Sequence, residues 1–544
     1  MTSELLVLNA RIRTMDAARP MAEALLIRGE RIVALGTQAE IIALANPKAR
    51  QLDAGGRLVL PGFQDPHIHL LSGGTDLATA VPLYEVAGIA DLQKAVAAHA
   101  RKAPTLPLVI GAGWQPGHFG DHNLTRHVID AVVSDRPALL YDSSFHNACL
   151  NSRALEMAGI VKGTPDPVNG HFVTDAAGEP TGMLHEDAIA WTLERLPQLT
   201  DENYLDGLRA GQAHANRHGI TGVIDPRVAE LETRIYGKAV ALGELTLRVS
   251  GAALVKEHDT PEEAVARLTA MRAAHPGPDF WVQSAKFFMD GVFENRTAAL
   301  LAPYADPPGG NCPTMFTPEQ TKALMVALDA ARFQIHVHVI GDAAARTAIE
   351  GLEAAVAANG RWPACHQLTH LQLVDPADFA RIAKVGAMAN IQTLWAQFSP
   401  SIPDIALDMI GPARRSEVYA YRRLMNEGAD WCLSSDWPVS TLNPFEIIET
   451  AVTRQARRDE GPREPFLPGE RLTVEEAVLG YTAHAATACW RGDFTGRLLP
   501  GFSADLIVLD QDIFGCAPDE ISATKVLLTL FKGSEVWRDE AFDG

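Results

Sequence analysis

The chain has 544 residues, 47% hydrophobic and 21% charged, enough for one large domain with a smaller companion or for two or three domains. Its 67 acidic against 47 basic residues give a formal net charge of -20, which argues against nucleic acid or an anionic membrane as partner, because the phosphate interaction would be repulsive. No apolar run reaches the roughly 18 residues that span a bilayer and the first residues lack a signal-peptide core, so the expected location is cytoplasmic.

In chain order, the first elements are β-rich. ELLVLNARIRTMD (Glu4 to Asp16) and ALLIRGERIVALG (Ala24 to Gly36) read as strands, with a hairpin turn at Arg28-Gly29-Glu30. The far end reads alike: ADLIVLDQDI (Ala504 to Ile513) and KVLLTLFKGSEVWRD (Lys525 to Asp539), with a turn at Lys532-Gly533-Ser534. We expect residues 1-58 and 495-544 to form one small β-sandwich domain built from both termini.

Residues 59-494 alternate strand-like runs with helical patterns, the signature of a parallel α/β architecture. After an opening strand near LPGFQDPHIHL (Leu60 to Leu70), seven more runs follow. They lie at 219–226, 245–254, 280–291, 333–342, 365–373, 386–393 and 430–439, and eight strands predict a (β/α)8 TIM-like barrel. Thr260-Pro-Glu-Glu263 and Thr317-Pro-Glu-Gln320 each combine an N-cap, a proline at the first helical position and a capping-box partner, so helices are predicted to start there. Residues 72-215 are too long for one connection and contain strand-like pieces of their own; they are expected to be an inserted capping segment after the first barrel strand. The six cysteines are scattered, form no C-x-x-C pair and are expected to be reduced.

Active sites of such barrels lie at the C-terminal ends of the strands. Polar residues at those ends are His67 and His69 on the first strand, Lys286 in the fourth, His338 on the fifth, His370 on the sixth and Asp436 on the eighth. In an extended segment His67 and His69 would share a face. A lone strand histidine is more often a hydrogen-bonded core residue than a ligand, but this ordered set is improbable by chance. Imidazole nitrogen and carboxylate oxygen suit Zn2+ or a similar first-row ion. Lys286 cannot ligate as an ammonium, so it is either structural or carbamylated by CO2 into an anionic two-oxygen ligand; its apolar surroundings favour the second.

The segments PGFQDPHIHL, KFFMDGVFENRTAALLAPY, HVHVIGDAA, THLQLVDPADFARIAKVGAMANIQ and SSDWPVSTLNPF closely resemble the amidohydrolase superfamily. The likeness is to amidohydrolase family 3, the YtcJ-like branch that includes N-substituted formamide deformylase. It covers nearly the whole chain. RPALLYDSSFHNACLNSRAL and GEPTGMLHEDA are also similar, although Ser144-Phe145 replaces a small acidic pair and ANIQTLW lacks the usual proline. The resemblance implies a metal-dependent hydrolase of non-peptide C–N bonds using a metal-activated hydroxide. By it, His67, His69 and Asp436 hold one Zn2+, His338 and His370 a second, and carbamylated Lys286 bridges them. Asp436 is the expected catalytic base and acid.

The expected substrate is a small N-acyl or N-formyl amine with an apolar or aromatic part, touched by Trp114, Phe119, His146 and Arg296. The alternatives are a cyclic amide, carbamate or ester on the same centre, or a non-catalytic binding protein that retains the fold. A homodimer is expected from the resemblance. His336 is expected to be a packed histidine one layer below His338, and Asp290 to shape a turn.

Overall fold

The computed structural model describes residues 4–83, 86–114, 124–142, 147–167, 170–293, 296–307, 309–398, 403–457 and 464–544, the side chains of 403–406 excepted. Two compact units are present, one of Met1–His69 with Gln212–Gly544 and one of Leu70–Gly211.

The first unit contains the parallel eight-stranded barrel sheet. Its strands are β1 (Phe63–Asp65), β2 (Ile220–Val228), β3 (Arg248–Leu254), β4 (Phe280–Phe288), β5 (Gln334–Val339), β6 (Gln367–His370), β7 (Met388–Ile391) and β8 (Trp431–Leu433). They neighbour one another in chain order from β1 to β8. Beyond the strand ends, Asp436 N–H donates to the His67 carbonyl at 2.9 Å and His69 N–H to the Trp437 carbonyl at 2.8 Å, so the segments after β8 and β1 are tied together. Each strand is buried on both faces, as the apolar runs predict.

Both predicted capping boxes form. Thr260 Oγ1 accepts from Glu263 N–H at 3.3 Å and Glu263 Oε2 from Thr260 N–H at 3.0 Å, opening the helix Pro261–Ala274. Thr317 and Gln320 repeat this at 3.2 and 2.9 Å ahead of Pro318–Ala330. Each cap satisfies helix N–H groups that have no intrahelical partner, for about 1 kcal/mol.

The termini build two further sheets. One runs Arg31–Gly36, Ala24–Arg28, Glu4–Leu8, Arg50–Asp53; the other runs Ser534–Arg538, Val526–Phe531, Leu506–Leu509, Leu58–Pro61, Arg11–Arg13, Met21–Ala22. Val7, Leu25 and Ile27 of the first share a buried cluster with Ile12, Val59, Val508 and Leu528 of the second. Gly29 and Gly533 take positive φ at the two predicted hairpin turns. Leu58–Pro61 pairs in the terminal sheet, whereas β1, one residue later, pairs in the barrel. The chain changes sheets at Gly62, where a Cβ would come within 2.5 Å of Thr221 Oγ1.

The Leu70–Gly211 unit has a six-stranded mixed sheet in the order Gly170–Thr174, Pro180–Glu186, Asn147–Leu150, Ala138–Asp142, Val109–Trp114, Ala80–Pro82. Separate apolar clusters pack around Trp114 and Leu140 and around Phe172 and Leu184. Among the described residues, no helix is long and apolar enough to cross a membrane.

Candidate metal centre

His67 and His69 do not lie in an extended strand, as the sequence reading had it. The ladder stops at Asp65, because Pro66 has no N–H to continue it, and both histidines sit in the bend before the helix Leu70–Thr79. The bend is fixed from below: buried Asp65 accepts from His67 N–H and from Ser435 N–H, each at 3.2 Å. Asp436 follows three residues after β8 with a left-handed backbone, φ 55°, which turns its carboxylate to the two imidazoles. His67 Nε2 lies 3.3 Å and His69 Nε2 3.4 Å from Asp436 Oδ1. Among the described residues, these three form the group that could hold a metal ion, with ligand atoms all within 4.8 Å of one another.

The other strand-end residues converge beside it. The His370 ring centroid is 5.0 Å from that of His67 and 4.5 Å from that of His338. His370 Nδ1 sits 2.9 Å from Gln392 Oε1, an acceptor, so this nitrogen carries the proton and Nε2 keeps its lone pair. Gln392 is in turn fixed by its Nε2 donating to Ser434 Oγ at 2.6 Å. Trp395 stacks on His370, centroids 5.3 Å apart and planes within 14°. His338 Nε2 lies 3.1 Å from the Gly291 carbonyl. Burial, reinforced by the Lys286 charge, holds the His67 imidazole well below its ordinary pKa and His338 down to about 4. Burial and the His338 charge do the same for His370. All three are therefore neutral, the form that ligates a cation.

Burial by itself would raise the Asp436 carboxyl. The His69 hydrogen bond leads the effects that outweigh it and hold the group below the usual carboxylate range. Lys286 is the exception in the set. Its Nζ is completely buried, has no hydrogen-bond partner among the described residues, and lies 4.6 Å from the Phe288 ring centroid. Burial pushes its pKa down to about 7, against the pull of Asp436. Such an orphaned amine beside neutral imidazoles and a carboxylate fits a site that takes up further charge.

A cavity of about 300 Å3 opens above these residues, lined also by Phe288, Val292, Ile340, Gln372, Trp395 and Val439. Its exposed surface is mostly apolar, so it suits a ligand with a hydrocarbon part and a few polar atoms directed at the histidines.

Not every residue predicted to touch substrate lies here. Trp114 is fully buried in the apolar core of the Leu70–Gly211 unit, its indole N–H donating to the Leu140 carbonyl at 3.1 Å. Phe119 and His146 lie outside the described residues. Arg296 pairs with Asp306 and donates to the Pro307 carbonyl at 2.9 Å, a loop brace whose carboxylate comes from the segment after β4 and not from the insertion. Asp290 shapes its turn as expected, accepting from the N–H groups of Ala299, Ile340 and Gly341 at 3.0, 3.0 and 2.8 Å. His336 is buried, but its role is more direct than packing: its Nε2 lies 2.7 Å from His67 Nδ1, which steadies the His67 ring. The sequence reading missed Asp65, Gln372, Gln392 and Trp395. Gln392 follows β7 directly, so the strand-end rule could have found it.

A deep parallel barrel whose strand ends gather neutral histidines and an ionised aspartate defines the class of metal-dependent hydrolases. The amidohydrolase family model matches residues 50–537, and the chain belongs to that family. N-substituted formamide deformylase from Arthrobacter pascens is 28% identical over 97% of this chain and 97% of its own. Protein LONG AFTER FAR-RED 3 from Arabidopsis thaliana is 27% identical over 98% of this chain and 92% of its own. An uncharacterized metal-dependent hydrolase from Pyrococcus horikoshii OT3 shares the fold with a TM-score of 0.79 at 22% identity, covering 95% of this chain and 99% of that one. The chain is accordingly a hydrolase of the amidohydrolase family, a class that acts on carbon–nitrogen bonds.

Proposed function

We propose that this enzyme hydrolyses the amide bond of a small N-acyl or N-formyl amine carrying an apolar or aromatic group. The relation to a formamide deformylase supports the bond type, and the apolar cavity supports the apolar substituent. The observation that carries the reading is the buried Lys286 Nζ, which has no hydrogen-bond partner among the described residues and acts electrostatically on His67, His338, His370 and Asp436.

His67, His69 and Asp436 would hold one Zn2+ and His338 and His370 a second, and Lys286 as a carbamate would supply anionic oxygen ligands. The carbamate would form when the neutral Nζ adds to the carbon of CO2, one C=O π pair becoming the carboxylate charge and an Nζ proton passing to water. A divalent ion so held would lower the pKa of a water towards neutrality and polarise a carbonyl.

The chain's own residues do the rest. The Asp436 carboxylate, kept ionised by His69, takes the proton of the attacking water and delivers it to the leaving nitrogen. His336 and Gln392 fix the rings of His67 and His370, so no reorganisation is needed as charge develops. Phe288, Ile340, Val439 and Trp395 seat the substituent and keep bulk water from it.

The test is elemental mass spectrometry on protein purified without chelator, with an assay on N-benzylformamide, N-benzylacetamide, a lactam, a carbamate and an aryl ester. About two metals per chain, fewer in Lys286→Ala, with preferred turnover of the open-chain amides, is the expected result. Equal metal content in both proteins would remove Lys286 from the centre, and preference for the lactam, carbamate or ester would move the substrate class.

A further inference from the structure

The cavity wall contains a polar side chain that the proposed metal ligands do not account for. Gln372 is 3% exposed and lines the cavity together with His370, yet its Nε2 has no hydrogen-bond partner among the described residues. A buried amide donor without a partner is costly, and such groups in native proteins call for an explanation. Its neighbours Asn390 and Gln392, equally buried, are both engaged in side-chain hydrogen bonds.

The backbone around Gln372 is held on every side. Leu371 N–H donates to the Val339 carbonyl at 3.0 Å, Leu373 N–H to the Ile340 carbonyl at 2.9 Å, and the Gln372 carbonyl accepts from Tyr419 N–H at 2.9 Å. His370 and Leu371 both have positive φ, 77° and 46°, a conformation that non-glycine residues adopt at a cost and that holds only where surrounding contacts impose it. The outcome of this strained turn is that His370 and Gln372 line the same cavity.

We infer that Gln372 is a substrate-binding residue whose carboxamide N–H donates to the carbonyl oxygen of the bound amide, the substrate being neutral at that end. A neutral donor matches a neutral carbonyl, and the remaining lining offers Phe288, Val292, Ile340, Trp395 and Val439 for an apolar substituent. The cavity of about 300 Å3 lies at the small end of ligand sites, which selects compact amides. The inference rests on the amidohydrolase reading above and adds the residue that recognises the acyl end.

The test separates the two. Metal-loaded protein is titrated by calorimetry with 4-phenylbutan-2-one, the ketone isostere of N-benzylacetamide, which keeps the carbonyl and has no scissile bond. Gln372→Leu and Gln372→Glu are compared with the wild type, with metal content and circular dichroism as controls for folding. We expect both variants to bind the ketone about tenfold more weakly with unchanged metal content. On N-benzylacetamide, KM rises and kcat falls for Gln372→Leu. Equal affinity in wild type and variants, or no binding to the wild type, overturns the role of Gln372. Binding that depends on Gln372, without hydrolysis of any amide, leaves that role standing and overturns the proposed reaction.

Discussion

Among the described residues Lys286 Nζ has no hydrogen-bond partner, so in protein stripped of metal, replacing it with methionine, which keeps the shape and removes the charge, should stabilise the fold. The lysine pKa falls from 10.5 to about 7 through burial. Because the folded value lies below the unfolded one, the penalty is absent above pH 10.5, grows as the pH falls, and levels off below about 7. At 1.36 kcal/mol per unit, the upper bound is about 5 kcal/mol at pH 6 and about 2 kcal/mol at pH 9. Equilibrium urea unfolding of the chelated wild type and Lys286→Met at both pH values measures the difference. The variant should have the higher midpoint, by more at pH 6. In the metal-loaded proteins the order should reverse if Lys286 is the proposed carbamate ligand, because the variant cannot form it. A chelated variant less stable than the wild type at pH 6 would mean that the ammonium has a partner in the folded protein, and the argument for its carbamylation would fail.

Two predictions concern stability away from the centre. Arg248 and Asp505, 5% and 3% exposed, pair where β3 meets the terminal strand Leu506–Leu509, with Ser503 Oγ accepting from the same guanidinium at 2.7 Å. Asp505→Ala leaves a buried cation alone and should cost about 3–5 kcal/mol in urea unfolding without changing metal content; a loss below 1 kcal/mol would mean that water reaches the guanidinium. Glu476 is held down to about 2, first by its hydrogen bonds to Arg422 at the start of the helix Val474–Tyr481. Its folded value lies below the unfolded 4.5, so its contribution is full above pH 4.5 and lost as the pH falls towards 2. Allowing for solvent screening of this partly exposed pair, Glu476→Gln should lower stability by about 1 kcal/mol at pH 7. The gap to wild type should close on acidification, and a gap that persists at pH 2 would assign the effect to the helix cap.

The strand-end histidines and Asp436 were legible in the sequence because the barrel's repeating pattern announces where each strand stops, and chemistry concentrates at those stops. The two capping boxes were legible because all their partners lie within four residues. The burial of Trp114 in the core of its own unit was not legible, because an indole suits a cavity wall or an apolar core and only its neighbours decide. The partners that tune the centre were not legible. His67 meets His336 across 269 positions, His370 meets Gln392 across 22, and Asp65 meets Ser435 across 370.

By itself the sequence determined the periodicity, the helix starts and the set of metal-ligating residue types, all properties of short windows. The tertiary structure alone decided which imidazole nitrogen carries a proton, that Lys286 Nζ and Gln372 Nε2 lack partners among the described residues, and that the chain crosses between sheets at Gly62. Those depend on distances between residues far apart in the chain, and such distances exist only once the barrel has brought its strand ends together.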